Sequence, residues 1–125
     1  MEKIINIDGR DVKLKVNGSF LLRYKMKYKR DAFKDIIELV DGIKLNDLSD
    51  NNKENLDLEF KLAKNLDLDL FFRLLHMMAK TGNPDITDDV IEWCSSFDNL
   101  PIFNLLQDII ELLVSSIYGE SQKKN

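Results

Sequence analysis

The sequence predicts an α+β fold, mainly α, with an N-terminal β-hairpin packed on a small bundle of about five helices. Three observations predict it. An Asp8-Gly9 pair separates two runs of alternating apolar and polar residues. Residues 66–81 and 101–118 carry apolar side chains at helical spacing over several turns. Gly, Pro, Asn and Asp cluster between these stretches, where connections belong. At 125 residues the chain has the length of one domain, placed at 1–118, and can bury a core without disulfides or metal.

Residues 3–16 form the expected hairpin. Ile5 and Ile7 alternate with Asn6 and Asp8, and Val12, Leu14 and Val16 with Lys13 and Lys15. Whether the loop is Asp8-Gly9 or Gly9-Arg10, these five apolar residues share a face, which needs helices to cover it because two strands alone are marginal in water. Two short helices follow over 19–42. Ser19 is placed to cap the first, whose Phe20, Leu21, Tyr24 and Tyr28 share a face. Ala32, Phe33, Ile36 and Val40 share another, rotated by about 130°. One straight helix cannot bring both to one core, so the chain breaks near residues 29–31.

Residues 44–57 read as a polar linker, dense in Asn and Asp and without periodicity. Helices are expected over 66–81, 87–97 and 101–118. Gly82 suits a left-handed position after the first, and Pro84 blocks its continuation. Thr87 caps the second, with Asp88 and Asp89 in its first turn and Val90, Ile91, Trp93, Cys94 and Phe97 giving an apolar side. Pro101 opens the third, and 119–125 is a polar tail. In the third, Asn104, Gln107, Asp108, Glu111 and Ser115 make one narrow polar stripe, and apolar residues take about 200° of the rest. The 66–81 helix behaves alike, with Asp69, Arg73, His76 and Lys80 as its stripe. A surface helix needs an apolar arc of roughly 100°. Such helices are either the centre of the fold or partly a surface for another chain.

Composition excludes several classes. Hydrophobic residues at 44% and charged at 32% are an ordinary balance that rules out wholesale disorder. A single cysteine, Cys94, permits no internal disulfide, and MEKIINIDGR lacks the apolar run of a signal peptide, so the expected location is cytoplasmic. Asp108 and Glu111 exclude a membrane span at 101–118. Net charge is −4, but residues 1–35 hold ten Lys/Arg against five Asp/Glu, and the rest eight against seventeen. That asymmetry fits either an anionic partner or attraction between the two parts.

No catalytic, cofactor or metal site is expected. One His and one Cys cannot make a zinc site. Asp47, Ser49 and Asn51 begin like a calcium loop, but Asn52 replaces the turn glycine and Leu58 the bidentate Glu. His76 reads as a solvated histidine beside an Asp69–Arg73 surface pair, and Cys94 as a small apolar residue. Arg23, Lys27, Arg30 and Lys34 form a basic stripe interleaved with Tyr24 and Tyr28. It supports one alternative, a small regulatory nucleic-acid-binding protein using residues 23–34. The pI near 5.0 instead favours reading it as a solvated helix side.

Laid end to end, the hairpin, FLLRYKMKYKRDAFKDII, HMMAKTGNPDI and IEWCSSFDNLPIFNLL resemble the tail assembly chaperones of long-tailed phages and prophages of Gram-positive bacteria. The likeness spans nearly all of residues 3–118 and rests on the order of short motifs: Arg23-Tyr24-Lys25, Arg30-Asp31, Phe33-Lys34-Asp35, Ala79-Lys80-Thr81 and Ile91-Glu92-Trp93. Lys29 stands where the pattern has a turn glycine, and Cys94 where it has leucine. The resemblance implies a non-enzymatic protein of the host cytoplasm, absent from the virion. It would bind and shield the tape-measure protein before the tail tube polymerises, with tail-tube subunits as further partners; the wide arcs themselves allow a second copy of the chain as another. The expected contact residues are exposed members of the two wide arcs: Phe72, Leu75, Ala79, Ile110, Leu113 and Ile117.

Overall fold

The structure is a computed structural model that describes residues 1–32, 34, 35, 37, 38 and 67–118, the last two by backbone alone. The 44–57 linker, its calcium-like stretch, the 119–125 tail and the end of the second short helix lie outside these residues. The architecture is the α+β, mainly α class expected: β1 (Glu2–Ile7) and β2 (Arg10–Lys15), then α1 (Phe20–Tyr28), α2 (Leu68–Gly82), α3 (Val90–Ser95) and α4 (Ile102–Tyr118). Ala32, Lys34, Asp35, Ile37 and Glu38 are also helical.

The strands are antiparallel, with Ile7 opposite Arg10, Ile5 opposite Val12 and Lys3 opposite Leu14. The turn is Asp8-Gly9, both at positive φ (55° and 84°), the twist that a two-residue hairpin requires. Ile7, Val12, Leu14 and Val16 are buried and Ile5 half-buried, so the alternating set does face the helices. Lys3 and Arg10 sit on that same face at its two ends. Lys3 Nζ lies 2.6 Å from Asp108 Oδ1 and 2.8 Å from Glu111 Oε1 on the polar stripe of α4. Arg10 lies over the Phe97 ring at 3.8 Å and donates to Ser96 Oγ at 2.8 Å. The basic N-terminal third is thus partly matched within the chain, through Lys3.

α1 ends where the two-face conflict requires a break. Lys29 takes the left-handed conformation (φ 58°), and its N–H closes on the Lys25 carbonyl. The reversal lets Tyr24 and Asp35 meet: the Tyr24 hydroxyl donates to Asp35 Oδ2 at 3.1 Å. Arg30 clamps both Asp35 oxygens at 2.8 and 2.9 Å, and Arg73 Nε donates to the Tyr24 hydroxyl at 3.0 Å. Arg73 Nη2 lies 3.8 Å from Asp35, so the buried carboxylate answers to two guanidinium groups. Arg30 first of all holds the Asp35 carboxyl below the usual carboxylate range, while burial pushes the Tyr24 phenol up to about 12.

α2 is the centre. Leu70, Phe71, Leu74, Leu75, Met77, Met78 and Ala79 are all buried, and the helix packs against β2, α3 and α4. Its wide apolar arc is consumed by neighbours on several sides. Asp67 caps it, its carboxylate accepting the Leu70 N–H. Its end differs from expectation. Asn83, in extended conformation, is the cap, and Gly82 is not left-handed. Glycine is needed at 82 for a different reason: a Cβ there would run into the Lys13 carbonyl oxygen of β2. Capping of the other helices also departs from expectation. Asp89, rather than Thr87, caps α3 by accepting from the Glu92 N–H. Ser19 does stand at the N-cap of α1, but its side chain makes no capping bond; its N–H and hydroxyl donate to Asn17 Oδ1. α3 is one short stretch inside the expected 87–97 helix.

Candidate partner-binding grooves

The expected contact residues do not form one surface. Leu75 and Ala79 are fully buried and Leu113 is 1% exposed, so these three belong to the core. The reason is the central place of α2, whose arc is filled from within the chain. An acidic substitution at Leu113 would unfold the protein rather than test binding. Phe72 and Ile110 are half-buried against that core, and the Ile117 side chain lies outside the described residues.

Apolar ground is exposed elsewhere. Leu22 (63%), Met26 (65%) and Leu21 (41%) face outward on α1, and Ile91 (78%) on α3. On α1 only Phe20 and Tyr24 are buried, with Tyr28 half-buried. Leu22 and Met26 stand one turn apart on the opposite side of the helix. That signal was present in the sequence, as two apolar residues off the aromatic stripe. Ile91, expected on the apolar side of its helix, is exposed; on that side only Trp93 and Phe97 are fully turned in, with Cys94 half-buried.

Two open grooves use these residues. One, of about 460 Å³, runs between the N-terminal half of α2 and α3. Phe72, Val90, Ile91 and Cys94 line it, with Asp69 and Arg73 at its rim. Phe72 is braced edge-on by Phe71, ring centroids 5.0 Å apart. Burial pushes the Cys94 thiol up, so it presents a neutral, weakly polar wall rather than a thiolate. The second, of about 400 Å³, lies between α1 and the C-terminal half of α2. Arg23, Met26, Lys27, His76, Met77, Lys80, Thr81 and Asp88 line it.

The second groove is built on a tightly tied loop. Lys80 Nζ donates to the Pro84 and Ile86 carbonyls at 3.1 and 2.5 Å and pairs with Asp88 at 3.2 Å. Thr81 Oγ donates to the Met77 carbonyl at 2.7 Å. His76 is the clearest correction on this stripe: it is fully buried, not solvated. Its Nε2 lies 2.8 Å from the Thr87 carbonyl oxygen, which makes Nε2 the protonated nitrogen and leaves Nδ1 without a partner. Trp93 packs edge-on against the ring at 5.8 Å. Burial, chiefly, pushes the His76 pKa down and keeps the ring neutral. A buried imidazole held this way ties α2 to the loop that carries Thr87. Arg73, expected to pair with Asp69 on the surface, turns inward to Tyr24 and Asp35.

The basic stripe is also divided. α1 stops at Tyr28, and Arg30 is committed to Asp35, so Arg23 and Lys27 are separated from Lys34. Among the described residues no three His, Cys, Asp or Glu stand together to hold a metal, and no helix is long and apolar enough to cross a membrane. The chain matches no family model, no curated protein and no solved structure.

Proposed function

We propose that the chain is a tail assembly chaperone of a long-tailed phage or prophage, acting in the host cytoplasm, that binds and shields the tape-measure protein while the tail is built. One observation carries this reading: the open apolar groove between α2 and α3, where half-buried Phe72 meets exposed Ile91. A long unassembled helix must keep its apolar stripe from water, and a groove of this kind takes side chains at i and i+3 or i+4 from such a stripe. The wide arcs of α2 and α4 lend less support, since most of their residues are spent on the core. The order of motifs along the chain supplies the remaining support and extends the reading to tail-tube subunits as further partners. The role is non-enzymatic and needs no cofactor.

Co-expression tests it. A tape-measure fragment encoded beside this chain should co-purify with it, and Ile91→Asp should abolish the complex while the variant alone keeps its helical circular dichroism. Recovery of the chain free of any tail protein would remove the proposal. So would a gene lying away from those for the tail tube and a very long reading frame.

A further inference from the structure

We propose that the groove between α1 and the C-terminal half of α2 docks an acid-flanked amphipathic helix of another protein. Its floor is apolar and adaptable: Met26, 65% exposed, and Met77 both line it, and Leu22 continues the strip one turn back along α1. Its rim is positive. Three cations line it, Arg23, Lys27 and Lys80, against one carboxylate, Asp88.

These charges are not equivalent. Lys80 is spent on two loop carbonyls and on Asp88. Arg23 and Lys27 stand one turn apart and, among the described residues, have no ion-pair partner. The groove therefore offers an apolar strip with two cations beside it that no described carboxylate pairs, on a chain whose net charge is −4. The matching ligand is a helix with an apolar stripe for Leu22, Met26 and Met77 and carboxylates spaced to reach Arg23 and Lys27. A nucleic acid fits less well. The one aromatic ring among its lining residues, the His76 imidazole, is fully buried and offers no face for a base to stack on, and an oily floor offers nothing to phosphates.

This inference goes beyond the chaperone reading and holds for whichever protein supplies the helix. It predicts a preference for acidic over basic partners at a site distinct from the Phe72–Ile91 groove.

Methyl-labelled methionine tests it on the whole chain, which has four methionines. The probe is a capped helical peptide with a leucine stripe flanked by glutamates, and its twin carries lysines instead. The Glu peptide should shift the Met26 and Met77 methyl signals and bind at least about tenfold tighter than the twin. Reversing both charges, in Arg23→Glu with Lys27→Glu, should invert the preference. Both residues are exposed, and the buried Met78 signal verifies that the variant is folded. The inference is overturned if Met26 and Met77 stay unmoved, if both peptides act alike, or if charge reversal changes nothing. It is also overturned if an oligonucleotide of equal charge gives the same shifts, or if Met26 responds to chain concentration without peptide. Because the probe is synthetic, such a failure leaves the Phe72–Ile91 groove and the tape-measure proposal untouched.

Discussion

His76 Nε2 lies 2.8 Å from the Thr87 carbonyl oxygen, and through that bond the middle of α2 holds the loop leading into α3. The ring is buried, its other nitrogen is unpartnered, and its pKa is pushed below the ordinary 6.5. Between the folded and unfolded values the unfolded chain binds more protons, so stability rises with pH in that window. It should be fully present above about 6.5 and decline as pH falls below it. Urea unfolding from pH 8 down to 5 measures this. In His76→Gln the slope should flatten, because the low-pH contribution of Asp35 begins only below the ordinary carboxylate range.

The Tyr24–Asp35–Arg30–Arg73 cluster gives an asymmetric pair of mutations. The Asp35 side chain is 5% exposed, and its removal strands Arg73, which is itself 17% exposed. Asp35→Ala should cost about 3 kcal/mol. Arg30 is 48% exposed and Arg73 still faces the carboxylate without it, so Arg30→Ala should cost much less. Denaturant midpoints of the two variants check the order.

Gly82 answers to β2 rather than to its own helix. By helix propensity alone, Gly→Ala would gain up to about 1 kcal/mol. The collision with the Lys13 carbonyl should reverse the sign and cost about 2 kcal/mol. Gly18→Ala, where a Cβ meets nothing, should stay within about 0.5 kcal/mol of the parent. Thermal unfolding of the two variants distinguishes collision from any general penalty for losing glycine.

Lys29 carries a conformation that glycine adopts without strain. Lys29→Gly should stabilise the chain by about 1 kcal/mol, with the fold unchanged. A loss of stability instead would mean that the left-handed turn is not what joins α1 to the following helical residues.

Much of this fold was legible, and the reasons are local. Alternation set the face of the hairpin, and Asp-Gly its turn. The rotation between the Tyr24 and Ala32 faces demanded the break that Lys29 makes. What could not be read depends on long-range packing. Periodicity reports that the α2 arc is wide but not how many neighbours consume it, so Leu75, Ala79 and Leu113 were placed on a surface they do not reach. His76 and Arg73 shared a polar stripe in projection, yet the Thr87 carbonyl holds a buried His76, and Tyr24 and Asp35 draw Arg73 inward. The exposed Ile91 had the opposite fate: the short α3 buries Trp93 and half-buries Cys94, which leaves Ile91 on the outer side. Of the expected contacts whose side chains are described, Phe72 lines the α2–α3 groove.

The most direct measurement is light scattering from a tape-measure fragment diluted out of denaturant in the presence of this chain. Aggregation should be suppressed in proportion to the chain added, and Ile91→Asp, folded but with a charge in the α2–α3 groove, should lose that protection. Scattering unchanged by the parent chain, or suppressed equally by Ile91→Asp, would contradict shielding through this groove.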